Sequence, residues 1–329
     1  MARNRHISGF GRVAVNRLED LIVLNMAHMR QIEIGGDNIL VAMADGRCWF
    51  IDVAFPGAAA LPVSRLAAER ASLAASLMEG AVCAGLTRTT PAETGRPYTL
   101  LRYIRWLAGN TIFAGQTPDL FRRAASRFDA AGRPDLAAFA RKKAAEEAGH
   151  ADLAFRDLES LGLPAADVIR LIRPPSAEAF ADRFRAYVES SAPVALFGFS
   201  YCLERMAVER DAAFIRNIDT LCGAGQAATR FLLVHSAVGG DHTHVHEQLA
   251  LFESLSDEDL LTVTRAAYET AAMLARQPEI DRALSDQEMS RRLKLADIRI
   301  SPAEGPRNSP LAGTGTNRRA MTREAAVCS

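Results

Sequence analysis

Residues 134–161 read PDLAAFARKKAAEEAGHADLAFRDLESL, and this stretch decides the fold class. It is rich in good helix formers, and its apolar residues recur three and four positions apart. Chain breakers stand at both ends, in Gly132-Arg-Pro134 and in Gly162-Leu-Pro164. The spacing therefore predicts one helix over residues 134–161, with Glu147 one turn before His150.

The same pattern continues from about Tyr98 to Leu295, and further breakers divide it into helices. These breakers are Pro174-Pro175, Pro193, Gly223-Ala-Gly225 and Gln277-Pro278. Ala-rich helices that are joined by short turns are typical of an antiparallel bundle. The sequence therefore predicts a mainly α-helical bundle over residues 96–298.

Residues 1–95 have a different pattern. Short β-type runs at residues 31–34, 39–43 and 48–53 are separated by segments with hairpin turn chemistry. A helix-like stretch follows from about Pro62 to Glu79, so this region is predicted to be a small β-meander plus a helix. The tail at residues 299–329 is rich in proline and glycine, and we expect it to be disordered.

The composition excludes several classes of protein. The formal net charge is zero and no long basic run occurs, which argues against a nucleic-acid partner. The five cysteines lack CxxC spacing, which favours a reducing compartment. No apolar run reaches the roughly 18 residues that a membrane span requires, and no signal-peptide core follows the N-terminus. We therefore expect a cytoplasmic protein without a membrane partner.

Four of the seven histidines fall within residues 234–247, which read VHSAVGGDHTHVHE. On one continuous helix, His235, His242 and His246 would lie within an arc of about 40°, while Asp241 and His244 would point to the opposite side. Three imidazoles on one face favour a divalent metal as their occupant. The alternative is a solvated histidine cluster near a helix end, with a break at the two glycines 239 and 240.

A carboxylate also lies in the apolar stripe of the helix predicted over residues 193–221. Glu204 falls among Phe197, Tyr201 and Val208 on that stripe. A buried carboxylate without a partner costs several kcal/mol, so Glu204 needs either a metal or an arginine as its partner. For Glu147 and His150 the alternative to a metal site is a surface ion pair between Lys143 and Glu147, beside a half-buried histidine.

The chain resembles the heme-oxygenase-like diiron oxidases and oxygenases in three motifs. These are Glu147-x-x-His150, a later buried Glu204, and His235 followed by His242. The resemblance covers about residues 98–290. It implies a heme-oxygenase-like helical bundle that holds one or two Fe ions, with O₂ as the co-substrate. The implied metal ligands are Glu147, His150, Glu204, His235 and His242.

The chain departs from the family pattern at two positions. Gly239 stands where an aspartate is expected, and Lys143 stands where some members carry a carboxylate. Additional candidate ligands are therefore Glu146, Asp241 and His246. If Gly239 is a vacated ligand position, the Gly239→Asp substitution should tighten a second metal.

The resemblance implies a non-heme iron oxidase or oxygenase that acts on a small molecule or a peptide, and a homodimer is compatible with it. The residues implied to line the substrate pocket are Phe197 and Tyr201. One alternative is a metal-free enzyme on the same fold, similar to thiaminase II or pyrroloquinoline quinone synthase, with Cys202 as a candidate nucleophile. Another is a peptide-binding module, formed by residues 31–80, on a structural helical bundle.

Overall fold

A computed structural model describes residues 29–33, 38–43, 48–52, 61–62, 73–86, 98–223 and 225–293. The strands β1 (Met29–Glu33), β2 (Asn38–Met43), β3 (Cys48–Asp52) and β4 (Leu61–Pro62) form one antiparallel sheet in chain order. The first three strands lie within two residues of the predicted β-type runs. The predicted disordered tail at residues 299–329 lies outside the described residues.

The remainder of the described chain is helical, as the sequence predicts. The helices are α1 (Leu73–Leu86), α2 (Leu100–Ala114), α3 (Thr117–Ala130), α4 (Pro134–Glu146), α5 (His150–Ser160), α6 (Ala165–Leu171), α7 (Pro175–Glu189), α8 (Ala195–Ala207), α9 (Ala212–Cys222), α10 (Arg230–Val234), α11 (Asp241–Glu253), α12 (Asp257–Ile280) and α13 (Asp286–Leu293). None of these helices is both long and apolar enough to cross a membrane.

Two hydrophobic cores hold the helices together. The long helix α12 packs against both α1 and α8, and buried residues of all three helices belong to the first core. The second core forms where α5 packs against α2 and α10. Because α1 packs against α12, the helix that the sequence placed near Pro62 to Glu79 belongs to the bundle. Within the described residues it begins at Leu73 and ends at Leu86.

Each of the three continuous helices predicted to carry ligands is broken. The helix predicted over residues 134–161 is divided into α4 and α5, and the helix over residues 193–221 is divided into α8 and α9. Asp211 begins α9 as its cap, because its carboxylate accepts a hydrogen bond from the Phe214 amide at 2.8 Å. The helix predicted through the histidines is interrupted between Val234 and Asp241. Glycines lie at two of these breaks, Gly149 and the pair 239 and 240, and the Asp211 cap marks the third.

Tyr201 connects α8 to α1 through a buried polar contact. Its hydroxyl donates to Glu79 Oε1 at 2.7 Å, and Arg205 Nε donates to the same oxygen at 2.7 Å. The ring of Tyr201 packs edge-on against Phe252. Burial raises the pKa of Tyr201, so its hydroxyl keeps the proton that it donates. Tyr201 thus has a structural role in helix packing.

We expect Tyr201→Phe to lower the free energy of unfolding by about 1–3 kcal/mol, because Glu79 would lose a buried donor. Urea unfolding followed by circular dichroism measures this change. A change below about 0.5 kcal/mol, the range of neutral surface substitutions, would show that Arg205 alone satisfies Glu79.

Candidate metal centre

Three ligand-type side chains meet at the ends of three helices. Glu147 directly follows α4, His150 is the first residue of α5, and His235 directly follows α10. Each offers one ligand atom, and these atoms all lie within 4.8 Å of one another. Glu147 Oε2 lies 3.1 Å from His150 Nδ1, and the rings of His150 and His235 meet edge to face at 4.7 Å. The structure therefore brings together three of the five ligands that the sequence predicts.

The break between α4 and α5 sets the position of the first two ligands. Gly149 has a φ of +87°, a left-handed conformation that side-chain-bearing residues rarely adopt. The chain can therefore turn between Glu147 and His150, and the two side chains still meet. The predicted Glu-x-x-His pair is confirmed as a contact, although it does not lie on one continuous helix.

Asp157 positions the short helix that carries the third ligand. Its carboxylate accepts hydrogen bonds from the backbone amides of Arg230 at 3.1 Å and Phe231 at 2.9 Å, at the start of α10. Burial raises the pKa of Asp157, and these hydrogen bonds oppose that shift. Because Asp157 lies on α5, the helix that begins with His150, it fixes α10 and His235 relative to His150.

Asp241 lies against the outer side of His235. It is 1% exposed, and its Oδ2 lies 3.4 Å from His235 Nδ1, while its Oδ1 lies 3.6 Å from His244 Nδ1. Burial opposes its ionisation, but the two histidines outweigh burial and lower the pKa of Asp241 to about 2. With Nδ1 facing this carboxylate, Nε2 of His235 is the ring nitrogen available to a metal.

The prediction that Asp241 points away from His235 is wrong, and so is the prediction that His235, His242 and His246 share one face. His242 and His246 are exposed on α11 and lie outside the ligand cluster. The physical reason is the helix break, since a new helix begins at Asp241 and its phase is independent of α10.

Glu204 does not join the cluster, because its partners are protein groups. Its carboxylate lies 2.8 Å from Lys143 Nζ and accepts hydrogen bonds from Ser200 Oγ at 3.0 Å and from Gln248 Nε2 at 2.6 Å. Glu204 is 5% exposed and Lys143 only 1%. The alternative that the sequence left open, a buried ion pair, is therefore the one observed.

Lys143 is the partner that the sequence reasoning missed. Its Nζ also lies 3.0 Å from Glu146 Oε2, so the expected surface pair with Glu147 is wrong. Burial alone would lower the pKa of Lys143, but the neighbouring carboxylates, Glu204 first, hold that pKa above its ordinary value. The ammonium therefore stays charged inside the bundle. No local pattern in the sequence marks Lys143 as buried, because its partner Glu204 lies 61 positions later in the chain.

A cavity of about 330 Å³ adjoins the cluster. Glu147, His235 and Glu204 line it, together with aromatic side chains of α2, α7 and α8. Phe197 and Tyr201, the predicted lining residues, are not part of this wall. Phe197 instead stacks on Phe128, with the ring centroids 5.6 Å apart. The face of α8 that lines the cavity is the one that carries Phe199, Ser200 and Leu203.

Cys202, the candidate nucleophile of the metal-free alternative, does not line the cavity either. Its side chain is buried, and burial raises the pKa of the thiol far above its ordinary value. A buried neutral thiol is a poor nucleophile. Cys202 therefore does not support a thiaminase-like reaction.

Gly239 is required by the backbone around it. A Cβ at this position would lie 2.2 Å from the Val234 carbonyl oxygen and 2.4 Å from that of Leu233, distances that real Cβ atoms do not show. These contacts argue against Gly239 as a vacated ligand position, because any side chain there would meet the backbone of α10. The glycine lets the chain pass the end of α10 and return into α11.

We expect Gly239→Ala to lower the free energy of unfolding by about 1–3 kcal/mol, because the methyl group would press on two carbonyl oxygens. Gly240→Ala is the matched control, since a Cβ there meets only the His244 ring, at 3.7 Å. Thermal unfolding of the two variants measures the difference. Equal destabilisation would contradict the steric account.

Comparisons with known proteins show the family and the fold of the chain. A family model described as "iron-containing redox enzyme" matches residues 104–275. The chain is also similar to the crystal structure of a domain of unknown function with a heme oxygenase-like fold from Shewanella denitrificans OS217. The two structures have a TM-score of 0.53 and 19% sequence identity, and the match covers 65% of this chain and 91% of that chain. At that identity the likeness shows the fold alone. No curated protein matches the chain. The family match spans more than half of the chain and confirms the resemblance seen in its motifs: the protein belongs to the family of iron-containing redox enzymes.

Proposed function

We propose that the protein is a non-heme iron oxidoreductase that holds one iron ion through Glu147, His150 and His235. Its substrates would be O₂ and a small organic molecule bound in the adjoining cavity. The observation that carries this proposal is the meeting of two imidazoles and one carboxylate beside a cavity. Two histidines and one carboxylate, with open positions left on the metal, are the ligand set of many non-heme Fe(II) oxygenases.

The distances between the three side chains fit a single ion. Neighbouring ligands of an ion bound at about 2.1 Å lie about 3 Å apart. Glu147 Oε2 and His150 Nδ1 are 3.1 Å apart, and the widest separation of the ligand atoms, up to 4.8 Å, needs only a small inward movement. Burial opposes ionisation of Glu147, but His150 and His235 hold its pKa below the ordinary value, so it would be an anionic ligand.

The surrounding charges favour one ion over two. Glu204 on α8 and Glu146 on α4 both lie within 3.0 Å of Lys143 Nζ. A second divalent cation at these carboxylates would meet a buried ammonium, and two like charges at such a distance repel strongly in a low-dielectric interior. The carboxylates of Glu204 and Glu146 are thus already balanced by the single positive charge of Lys143, at the place where a second metal ion would add two positive charges.

The iron, when bound, would bind and reduce O₂. The surrounding side chains would orient its ligands and exclude water from the substrate. Asp241 holds the His235 ring in one orientation. Lys143 Nζ keeps its protons 2.8 Å from Oε1 of Glu204, a carboxylate that lines the cavity. The phenylalanine walls exclude water from the substrate, which would lie beside Glu147 and His235.

Nitric oxide, which binds ferrous iron at open positions, tests this proposal directly. Protein that is loaded with ferrous iron without oxygen and then exposed to nitric oxide should give the EPR signal of a high-spin iron–nitrosyl complex. Variants that lack His235 should lose the signal. Iron-loaded wild-type protein without such a signal would have no open position for a diatomic ligand, and the proposal would fail.

We expect His150→Ala and His235→Ala to weaken ferrous iron binding by more than about 100-fold, because each removes a direct ligand. Asp241→Asn should weaken it by about 10- to 100-fold through loss of the charge that orients His235. Anaerobic titration with a competing chelator measures these affinities.

The matched controls are His242→Ala and His246→Ala, which remove exposed imidazoles of the same segment. Both should stay within about twofold of wild type, the range of a neutral surface change. If His242→Ala lost iron as fully as His235→Ala, the ligand set implied by the sequence would be right and the cluster described above would be wrong.

A further inference from the structure

A row of packed aromatic rings leads away from the candidate metal centre. The His235 ring packs against Phe231 at a centroid distance of 4.6 Å, and Phe231 meets Trp106 edge to face at 5.3 Å. Trp106 in turn stacks on Tyr103, with the centroids 5.7 Å apart. One of the two tryptophans of the chain therefore lies only two ring contacts from a candidate metal ligand.

The Trp106 ring is tied to the segment that carries this ligand. Trp106 lies on α2, and the Arg210 guanidinium lies over its ring at 5.1 Å. Arg210 Nη1 donates to the His235 carbonyl oxygen at 3.4 Å, and the Ala237 amide donates to the Arg210 carbonyl oxygen at 3.1 Å. Trp106 is thus held next to the His235 segment by a second contact besides Phe231.

The residues of this row differ in their access to solvent. Phe231 is 3% exposed and Tyr103 only 1%, whereas Trp106 is half-buried. The Tyr103 hydroxyl donates to the Ala228 carbonyl oxygen at 2.8 Å. Oxidation of a tyrosine releases its hydroxyl proton, and a backbone carbonyl is only a hydrogen-bond acceptor, too weak a base to take that proton. Trp106 can release its indole proton to water, so it is the residue of the row that can be oxidised.

The packing of the row makes electron transfer between Trp106 and the metal centre possible. The Trp106 and His235 rings lie no farther apart than the two short contacts through Phe231 together allow. Phe231 does not have to be oxidised itself, because it fills the gap with bonded atoms of a close-packed interior in place of solvent. Electron tunnelling through such a short, filled gap is fast compared with enzyme turnover.

We propose that Trp106 donates one electron to the metal centre when an oxidant reaches the iron without a substrate in the cavity. This role rests on the function proposed above, because it requires iron at Glu147, His150 and His235. The oxidising equivalent then leaves the ligands and comes to rest on a half-buried ring, where reductants from solution can reach it. Trp106 thereby protects the metal ligands from oxidation.

Hydrogen peroxide is a suitable oxidant for this step because it takes up two electrons. Ferrous iron gives one electron and becomes ferric, and Trp106 gives the other. The O–O bond of the peroxide breaks, and its two oxygen atoms leave as two water molecules. This reduction consumes two protons, of which one is the indole proton of Trp106 and the other comes from solvent. The Arg210 guanidinium over the ring favours the neutral indolyl radical over a radical cation, since like charges repel.

Electron paramagnetic resonance of rapidly frozen samples tests this proposal. Full-length protein that is loaded with ferrous iron is mixed with an equimolar amount of hydrogen peroxide in the absence of substrate. An organic radical signal should appear, and ring-deuterated tryptophan in the protein should narrow it. The absence of an organic radical, or a signal that narrows with ring-deuterated tyrosine instead, would overturn the proposal.

Tryptophan variants locate the radical. The chain has only two tryptophans, so Trp49→Phe on β3 is the matched control for Trp106→Phe. The signal should be lost in Trp106→Phe and kept in Trp49→Phe. Phe231→Leu should lose most of it, because the ring between Trp106 and His235 is removed. A signal that persists in Trp106→Phe, or that disappears in Trp49→Phe, would contradict the assignment.

Wild-type protein alone can also decide the assignment, which matters if Trp106→Phe does not fold. After repeated additions of peroxide, peptide mass spectrometry should find added oxygen on Trp106 in preference to Trp49, and the reverse preference would overturn the proposal. The iron–nitrosyl signal is recorded on a portion of every sample. Its absence would refute the iron site and the role of Trp106 together, whereas a nitrosyl signal without a tryptophan radical would refute the role of Trp106 alone.

Discussion

The Lys143 ammonium lies 1% exposed within the bundle, 2.8 Å from Glu204 and 3.0 Å from Glu146. Removing one partner of such a buried pair costs about 3–5 kcal/mol, because the other charge remains buried alone. This constraint divides the buried carboxylates into two groups. Glu204 and Glu146 balance Lys143, while Glu147 faces His150 and His235 and stays available to a metal. In the function proposed above, the charge of one lysine thus limits which side chains can hold a metal.

The second constraint is the interruption of the helices. Glu147, His150 and His235 all stand at helix ends, where the backbone changes direction between α4 and α5 and between α10 and α11. Gly149 makes the first turn possible, and Gly239 lets the second pass close to the carbonyl groups of α10. Two of these residues, Glu147 and His235, also line the cavity.

Much of this could be predicted from the sequence, and the failures have specific causes. Helical periodicity and breakers predicted the bundle, and the Glu147–His150 spacing predicted a contact that is present. The assumption of one helix through residues 235–246 was wrong, because local turn geometry at Gly239 is not visible in an apolar period. That assumption placed His242 on the same face as His235 and turned Asp241 away from His235. The partner of Glu204 was also missed, since Lys143 lies 61 positions earlier in the chain and long-range charge pairing leaves no local pattern.

A crystal structure of the iron-loaded protein, with anomalous diffraction measured at the iron absorption edge, tests the central claim most directly. We predict one iron peak among Glu147, His150 and His235, with Lys143 still paired with Glu204. Two iron peaks that share Glu204 as a ligand, or one peak ligated by His242, would contradict the account. In either case the buried ammonium would not be the group that limits the site to a single metal.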